Sequence, residues 1–285
     1  MFFLKRLFFL IIVISSFISC SKATVERVNV FDGFIGPENL FIKNNLMLVS
    51  DYSGLIVIDL ASGEKKLIFD ANKNGYDLVL GITKLNGYCY FLTPTTLYRF
   101  KFDSLVKKIE PEIELIMSDF SLANGIAHDG TNIFITDTEA GLLYKLTPAE
   151  TDLTFIKEPV AEINSANGLR YDVKNKRFIV GSLFGSKIFA VYPNDMEDEQ
   201  AKLELIAKVN MPDDLFVLDD GTIYCTSYFS DSIYRLDPVN KNNQKMIRTG
   251  VRGVSSIYIT DDFVFLTHKG VFLKNGTRVL QYKKF

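Results

Sequence analysis

Six polar or small residues recur along this chain at nearly constant spacing: Glu38, Gly81, Asn124, Asn167, Asp213 and Ser256, separated by 43, 43, 43, 46 and 43 residues. Each opens the same pattern of a short apolar run, a turn, and further β-rich runs ending near Gly or Ser. In the third unit Gly125 to His128 meets an Asp129-Gly130 turn, and Asn132 to Asp137, Leu142 to Leu146 and Leu153 to Lys157 follow. The fifth unit repeats this as Asp213 to Leu218, Asp220-Gly221, Thr222 to Ser227, Ser232 to Asp237 and Lys245 to Thr249. β-Branched and aromatic residues fill the runs and turn residues separate them. No stretch of ten or more residues carries helical periodicity.

A unit of about 43 residues with four short strands reads as one blade of a β-propeller, because such a unit buries its faces only against its neighbours. The expected fold is therefore all-β: a six-bladed β-propeller of four-stranded blades over residues 38–285. The regular spacing favours this over a pair of β-sandwiches. The longer interval contains the acidic stretch Asn194 to Glu199, expected to be a loop. Val25 to Phe31 precedes the first blade and is expected to pair with the last one, and Thr277 to Tyr282 competes for that place. A length of 285 residues suits one large β domain. The formal charge of -2 lacks the basic stripe that nucleic acid requires.

The first twenty residues stand apart. Lys5 and Arg6 precede an apolar run from Leu7 to Ile18, which is short for a bilayer span. This is a secretory signal pattern, expected to occupy residues 1–19. Phe17-Ile18-Ser19-Cys20 resembles a bacterial lipobox, so Cys20 is the expected lipidation site and residues 20–37 an anchor, tether and ring-closing strand. A monomer held at the cell envelope by its N-terminal lipid is expected, on the periplasmic or outer-membrane side.

In a propeller the first strand of each blade lies nearest the axis, so the six recurring residues converge on one channel mouth. They supply two carboxylates, two amides and a hydroxyl, with a gap at Gly81. An oxygen-rich set of this kind suits a hard cation such as Ca²⁺, with Glu38 and Asp213 balancing its charge. Another divalent cation remains open. Zn²⁺ is disfavoured, since the set has no His or Cys.

These residues carry a resemblance. Pro212-Asp-Asp-Leu-Phe-Val-Leu-Asp-Asp-Gly-Thr-Ile-Tyr-Cys225, with Ser232-Ile-Tyr-Arg-Leu-Asp-Pro238, resembles the Asp-bearing blade of the senescence marker protein/gluconolactonase/regucalcin family and the related paraoxonases. Ser165-Ala-Asn-Gly-Leu169 resembles the blade that contributes Asn, and Gly36-Pro-Glu-Asn39 the segment that contributes Glu. The resemblance implies Ca²⁺ held by Glu38, Asn124, Asn167 and Asp213, and hydrolysis of lactones or related esters. It implies that the metal polarises the carbonyl, that Asp213 orients or deprotonates a metal-bound water, and that the Asn124 and Asn167 amides also polarise the substrate. Two departures stand out. Leu80 falls where paraoxonases carry the first His of a pair, and Leu122 where some gluconolactonases carry a sugar-binding Arg.

Mouth-side loops between second and third strands carry Tyr52, Phe184, Tyr228 and Phe229, an expected apolar collar for a ligand, and His268, a candidate acid/base or substrate contact. His128 lies farther along an inner strand and reads as structural. Cys89 and Cys225 fall on opposite blades, too far apart for a disulfide. No phosphate loop, Gly-x-Ser-x-Gly or nucleotide fingerprint is present. Three functions follow: a calcium-dependent lactone or ester hydrolase; a non-catalytic binding or scaffold lipoprotein whose metal is structural; and a metal-free relative of the strictosidine-synthase-like group, against which Glu38 and Asp213 stand.

Overall fold

A computed structural model describes residues 25–149, 154–197, 200–237, 244–270 and 277–284. The expected signal, residues 1–19, and Cys20 lie outside these. Six antiparallel sheets of four strands are present, one for each repeat. In the third blade the strands are Ala123–His128, Ile133–Asp137, Leu142–Pro148 and Phe155–Glu162, hydrogen-bonded in chain order. The inner strands of every neighbouring pair of blades touch, including the sixth and the first, so the ring is closed. Among the described residues no helix is long and apolar enough to cross a membrane.

Closure uses both chain ends. Arg278–Lys283 is the third strand of the last blade, and Arg27–Phe31 is the outermost strand, pairing Val30 with Leu280 and Phe31 with Val279. The two segments do not compete, because each has its own place in the sheet. The core lies between blades. Phe69, Phe91, Tyr98 and Phe100 fill the space between blades one and two. Phe134 and Phe178, with ring centroids 4.0 Å apart, fill that between three and four. In a chain without Trp, Phe supplies the large apolar area that face-to-face blades need.

One expectation fails here. Of the acidic stretch expected to be a loop, Asn194 to Glu197 are strand, and residues 198–199 lie outside the described residues. Lys187–Glu197 and Gln200–Lys208 continue as one long hairpin, with Glu197 opposite Gln200 and a register shift between Tyr192 and Met196. Extra residues between two outer strands satisfy their backbone groups most simply by extending the ladder. Cys89 and Cys225 are both buried and free. Burial pushes the Cys89 thiol up to about 12, so it behaves as a small core residue.

Candidate metal centre in the central channel

In blades three to six the inner strand enters the channel through a register shift, and the hydrogen bonds around it help to fix which residues are equivalent. In blade three Ala123 pairs with Asp137, the pairing resumes at Ile126 with Ile135, and Thr136 Oγ1 accepts the Gly125 N–H at 2.8 Å. The same hydroxyl donates to the Asn167 carbonyl of blade four at 2.5 Å. Thr226 repeats this, accepting from Asp214 N at 2.9 Å and donating to the Ser255 carbonyl at 2.9 Å. Thr267 repeats it across the seam, accepting from Ser256 N at 2.6 Å and donating to the Glu38 carbonyl at 3.3 Å. These second-strand hydroxyls hold the carbonyls of three channel residues in place.

This pattern corrects the equivalence expected for two blades. The position shared by Glu38, Asn124, Asn167 and Asp213 is held in blade two by Leu80 and in blade six by Ser255, not by Gly81 and Ser256. Leu80 and Ser255 line the void at the mouth with the four expected residues. Gly81 and Ser256 belong one residue deeper, with Asn39, Gly125, Gly168 and Asp214. Close approach explains the glycines. A Cβ on Gly81, Gly125 or Gly168 would lie 2.5, 2.4 or 2.4 Å from the carbonyl oxygen of Asn124, Asn167 or Asp213 in the next blade.

The void is ≈ 10 Å³, about the room one water-sized particle needs. Ser255 Oγ lies 2.6 Å from Glu38 Oε2 and 2.9 Å from Asp213 Oδ2. A hydroxyl has one proton to donate. It can therefore serve only one carboxylate, and the other contact needs a carboxyl proton or a cation. Burial pushes Asp213 up to about 7, with Glu38 adding to the shift and Lys269 opposing it. Beneath the mouth, Asp214 accepts from Arg170 Nη2 at 2.9 Å, from Asn39 Nδ2 at 3.3 Å and from Ser256 Oγ. Its Oδ1 and the Oδ1 of Asn39 are buried and have no hydrogen-bond partner among the described residues.

The donor set fits a hard cation: two carboxylates, two amide groups and a hydroxyl around an ion-sized void. Among the described residues no three His, Cys, Asp or Glu side chains cluster as a metal site, and the ring contains only two of these types. Sequence reasoning missed the charge that sits on this ring. Lys269 Nζ donates to Glu38 Oε1, with both side chains 12% exposed. Burial pulls the Lys269 ammonium down, but the adjoining Glu38 and Asp213 carboxylates outweigh it and hold its pKa above the usual value.

The expected collar is partly assembled. Lys269 Nζ lies 5.0 Å from the Tyr228 ring centre and 5.9 Å from that of Tyr52. Burial pushes the Tyr52 hydroxyl up, opposed by Lys269 and reinforced by Glu38. Phe229 meets Tyr228 edge-on at 5.0 Å, whereas Phe184 is 72% exposed. His268 is buried, lies opposite Val254 in the ladder, and its Nδ1 is 3.5 Å from Arg278 Nε. It does not line the void. His128 Nδ1 accepts the Gly130 N–H at 3.2 Å, and burial lowers its pKa. The signal for Lys269 lay in the register: it follows the last residue of its second strand, as Tyr52 follows Asp51 and Tyr228 follows Ser227.

No protein-family model matches the chain, and no curated protein matches it in sequence. Solved structures do resemble it. A protein provisionally called a gluconolactonase is 14% identical with a TM-score of 0.70, over 92% of each chain. A luciferin-regenerating enzyme is 12% identical with a TM-score of 0.70, over 92% of this chain and 97% of that one. An auxiliary nutrient binding protein from Bacteroides thetaiotaomicron is 11% identical with a TM-score of 0.67, over 88% of this chain and 70% of that one. At such identities the shared feature is the propeller fold.

Proposed function

We propose that this chain is a calcium-dependent hydrolase of lactones or related esters, working at the ring mouth, and that a signal peptide and lipidation at Cys20 tether it to the cell envelope. One observation carries the catalytic reading: Glu38, Asn124, Asn167, Asp213 and Ser255 converge on a single ion-sized void. Glu38, Asp213, Asn124 and Asn167 would hold the ion. When bound, calcium supplies Lewis-acid polarisation of the scissile carbonyl oxygen.

The chain's own groups supply the rest. Asp213 orients a water and takes its proton as the water oxygen bonds to the acyl carbon, and that proton passes to the leaving alcohol oxygen as the acyl C–O bond breaks. Asn124 directs its amide at the substrate carbonyl. Ser255 Oγ sits between the Asp213 and Glu38 carboxylates and donates its one proton to one of them. Tyr52 and Tyr228 give the substrate an apolar wall beside the charged centre. Leu80 makes the blade-two side of the ring apolar, so the proton work falls to Asp213 rather than to a histidine there. Leu122, in place of an arginine, points away from sugar-acid lactones. The provisional gluconolactonase among the structural neighbours supports this reading at the level of fold.

A second reading, a non-catalytic binding lipoprotein, is favoured by the Lys269 ammonium on Glu38 and by the neighbour named for nutrient binding. The full chain, purified in detergent and incubated with a lactone and aryl-ester panel with and without EDTA, separates the two. EDTA-sensitive turnover supports the hydrolase. Retained calcium without turnover on any substrate rules it out for those classes.

A further inference from the structure

Lys269 is not an ordinary surface lysine. Its backbone is held on both sides. Its N–H donates to the Gly253 carbonyl at 3.0 Å, and the Gly253 N–H donates to the Tyr228 carbonyl at 2.9 Å. Tyr228 Oη donates to the next carbonyl along, that of Gly270, at 3.1 Å. Gly253 has φ +80°, and a Cβ there would lie 2.4 Å from the Gly270 carbonyl carbon, so the two turns touch only because this residue is Gly. The pinned loop directs the side chain inward, between Tyr52 and Tyr228, onto Glu38. Its ammonium is thus a cation supplied by the chain itself, at a carboxylate that the calcium reading assigns to the ion.

We infer that Lys269 is a tethered competitor for the metal ring: it occupies Glu38 until a divalent cation displaces it, and so weakens and tunes the site's affinity for that ion. This rests on the calcium reading above. The physical reasons are charge and connectivity. An ammonium and a divalent cation repel at contact distance in a buried site, so both cannot press on the Glu38 carboxylate. A covalently attached competitor never dilutes away, and acts at a high effective concentration. When displaced it stays at the mouth, where the faces of Tyr52 and Tyr228 already lie within cation–π range. Without Lys269 and without metal, Glu38 and Asp213 would face each other with no counter-charge, so the lysine also keeps the empty ring folded.

Calcium titration of the chelator-stripped full chain by calorimetry, paired with thermal unfolding, tests this. Lys269→Met keeps the length and apolar stem but removes the charge. It should bind calcium about tenfold tighter, the factor by which a blocking state populated to about 90% masks a site. Its melting temperature should fall in EDTA and gain more from calcium than that of the wild type. Lys269→Arg, which keeps the charge, should bind no tighter than wild type. Lys269→Gln serves in place of the Met variant should that fail to fold. Equal or weaker calcium affinity in the neutral variants overturns the competitor role and leaves the calcium reading intact. Calcium binding by none of the proteins overturns the calcium reading and this inference with it.

Discussion

The two ends of the central channel are built by the same six strands yet differ in every physical respect. The ring end closes to a void of ≈ 10 Å³ among carboxylates, amides and a hydroxyl. The opposite end opens to about 380 Å³, walled by Leu40, Phe41, Ile126, Phe216 and Tyr258. The larger cavity is mostly apolar, although Thr83, His128, Asp129 and Arg170 also border it, whereas the smaller is lined chiefly by polar side chains and glycines. Buried acceptors that lack a full set of donors are costly, so the ring carries a stability cost that the wide end does not. Between the two lies Arg170, which borders the wide end and reaches Asp214 beneath the ring.

That contrast is breakable. The largest effect is expected at the partition. Arg170→Met leaves Asp214 buried without its cation and should destabilise the fold by about 3–5 kcal/mol in urea unfolding, with most of the loss restored by adding Asp214→Leu. Unchanged stability in Arg170→Met alone would show that the pair does not divide the channel. Next comes the ring. Glu38→Gln with Asp213→Asn should abolish calcium-induced stabilisation, which in the wild type should reach about 2.7 kcal/mol at a hundredfold excess over the dissociation constant. Thermal shift with and without calcium reads this directly, and an unchanged calcium response would place the ion elsewhere.

Smaller effects sharpen the contrast. Thr136→Val removes the hydroxyl that joins Gly125 to the Asn167 carbonyl, and should cost about 1–3 kcal/mol through the groups left unpaired. It should also weaken calcium binding, because the carbonyl of a ring residue is freed. At the wide end Tyr258→Phe removes a donation to the Ile42 carbonyl of 2.9 Å and should cost about 1 kcal/mol. Its calcium affinity, measured by titration, should match the wild type. A change there would mean that the two ends are coupled.

The propeller was legible in sequence because the inner strands repeat and each must begin at the same depth in the channel. Glu38, Asn124, Asn167 and Asp213 were legible for the same reason. Blades two and six were read one residue out of step. Gly81 and Ser256 look like polar strand starts, but the true register is set by hydrogen bonds to Thr267 and to the Asn124 carbonyl of the next blade. Leu80 gave no signal by residue type, since an apolar residue in a polar ring resembles any strand residue; only the family resemblance marked its position, as a departure. Lys269 was overlooked beside His268, although its place in the loop matches that of Tyr52 and Tyr228. The strand-loop register, rather than residue type, would have found it.

A crystal structure of the chain grown at saturating calcium tests the central claim most directly. The account predicts an ion about 2.3–2.6 Å from oxygens of Glu38, Asn124, Asn167 and Asp213, with the Lys269 ammonium withdrawn from Glu38. A ring that holds no ion under those conditions, with Lys269 still bonded to Glu38, would contradict it.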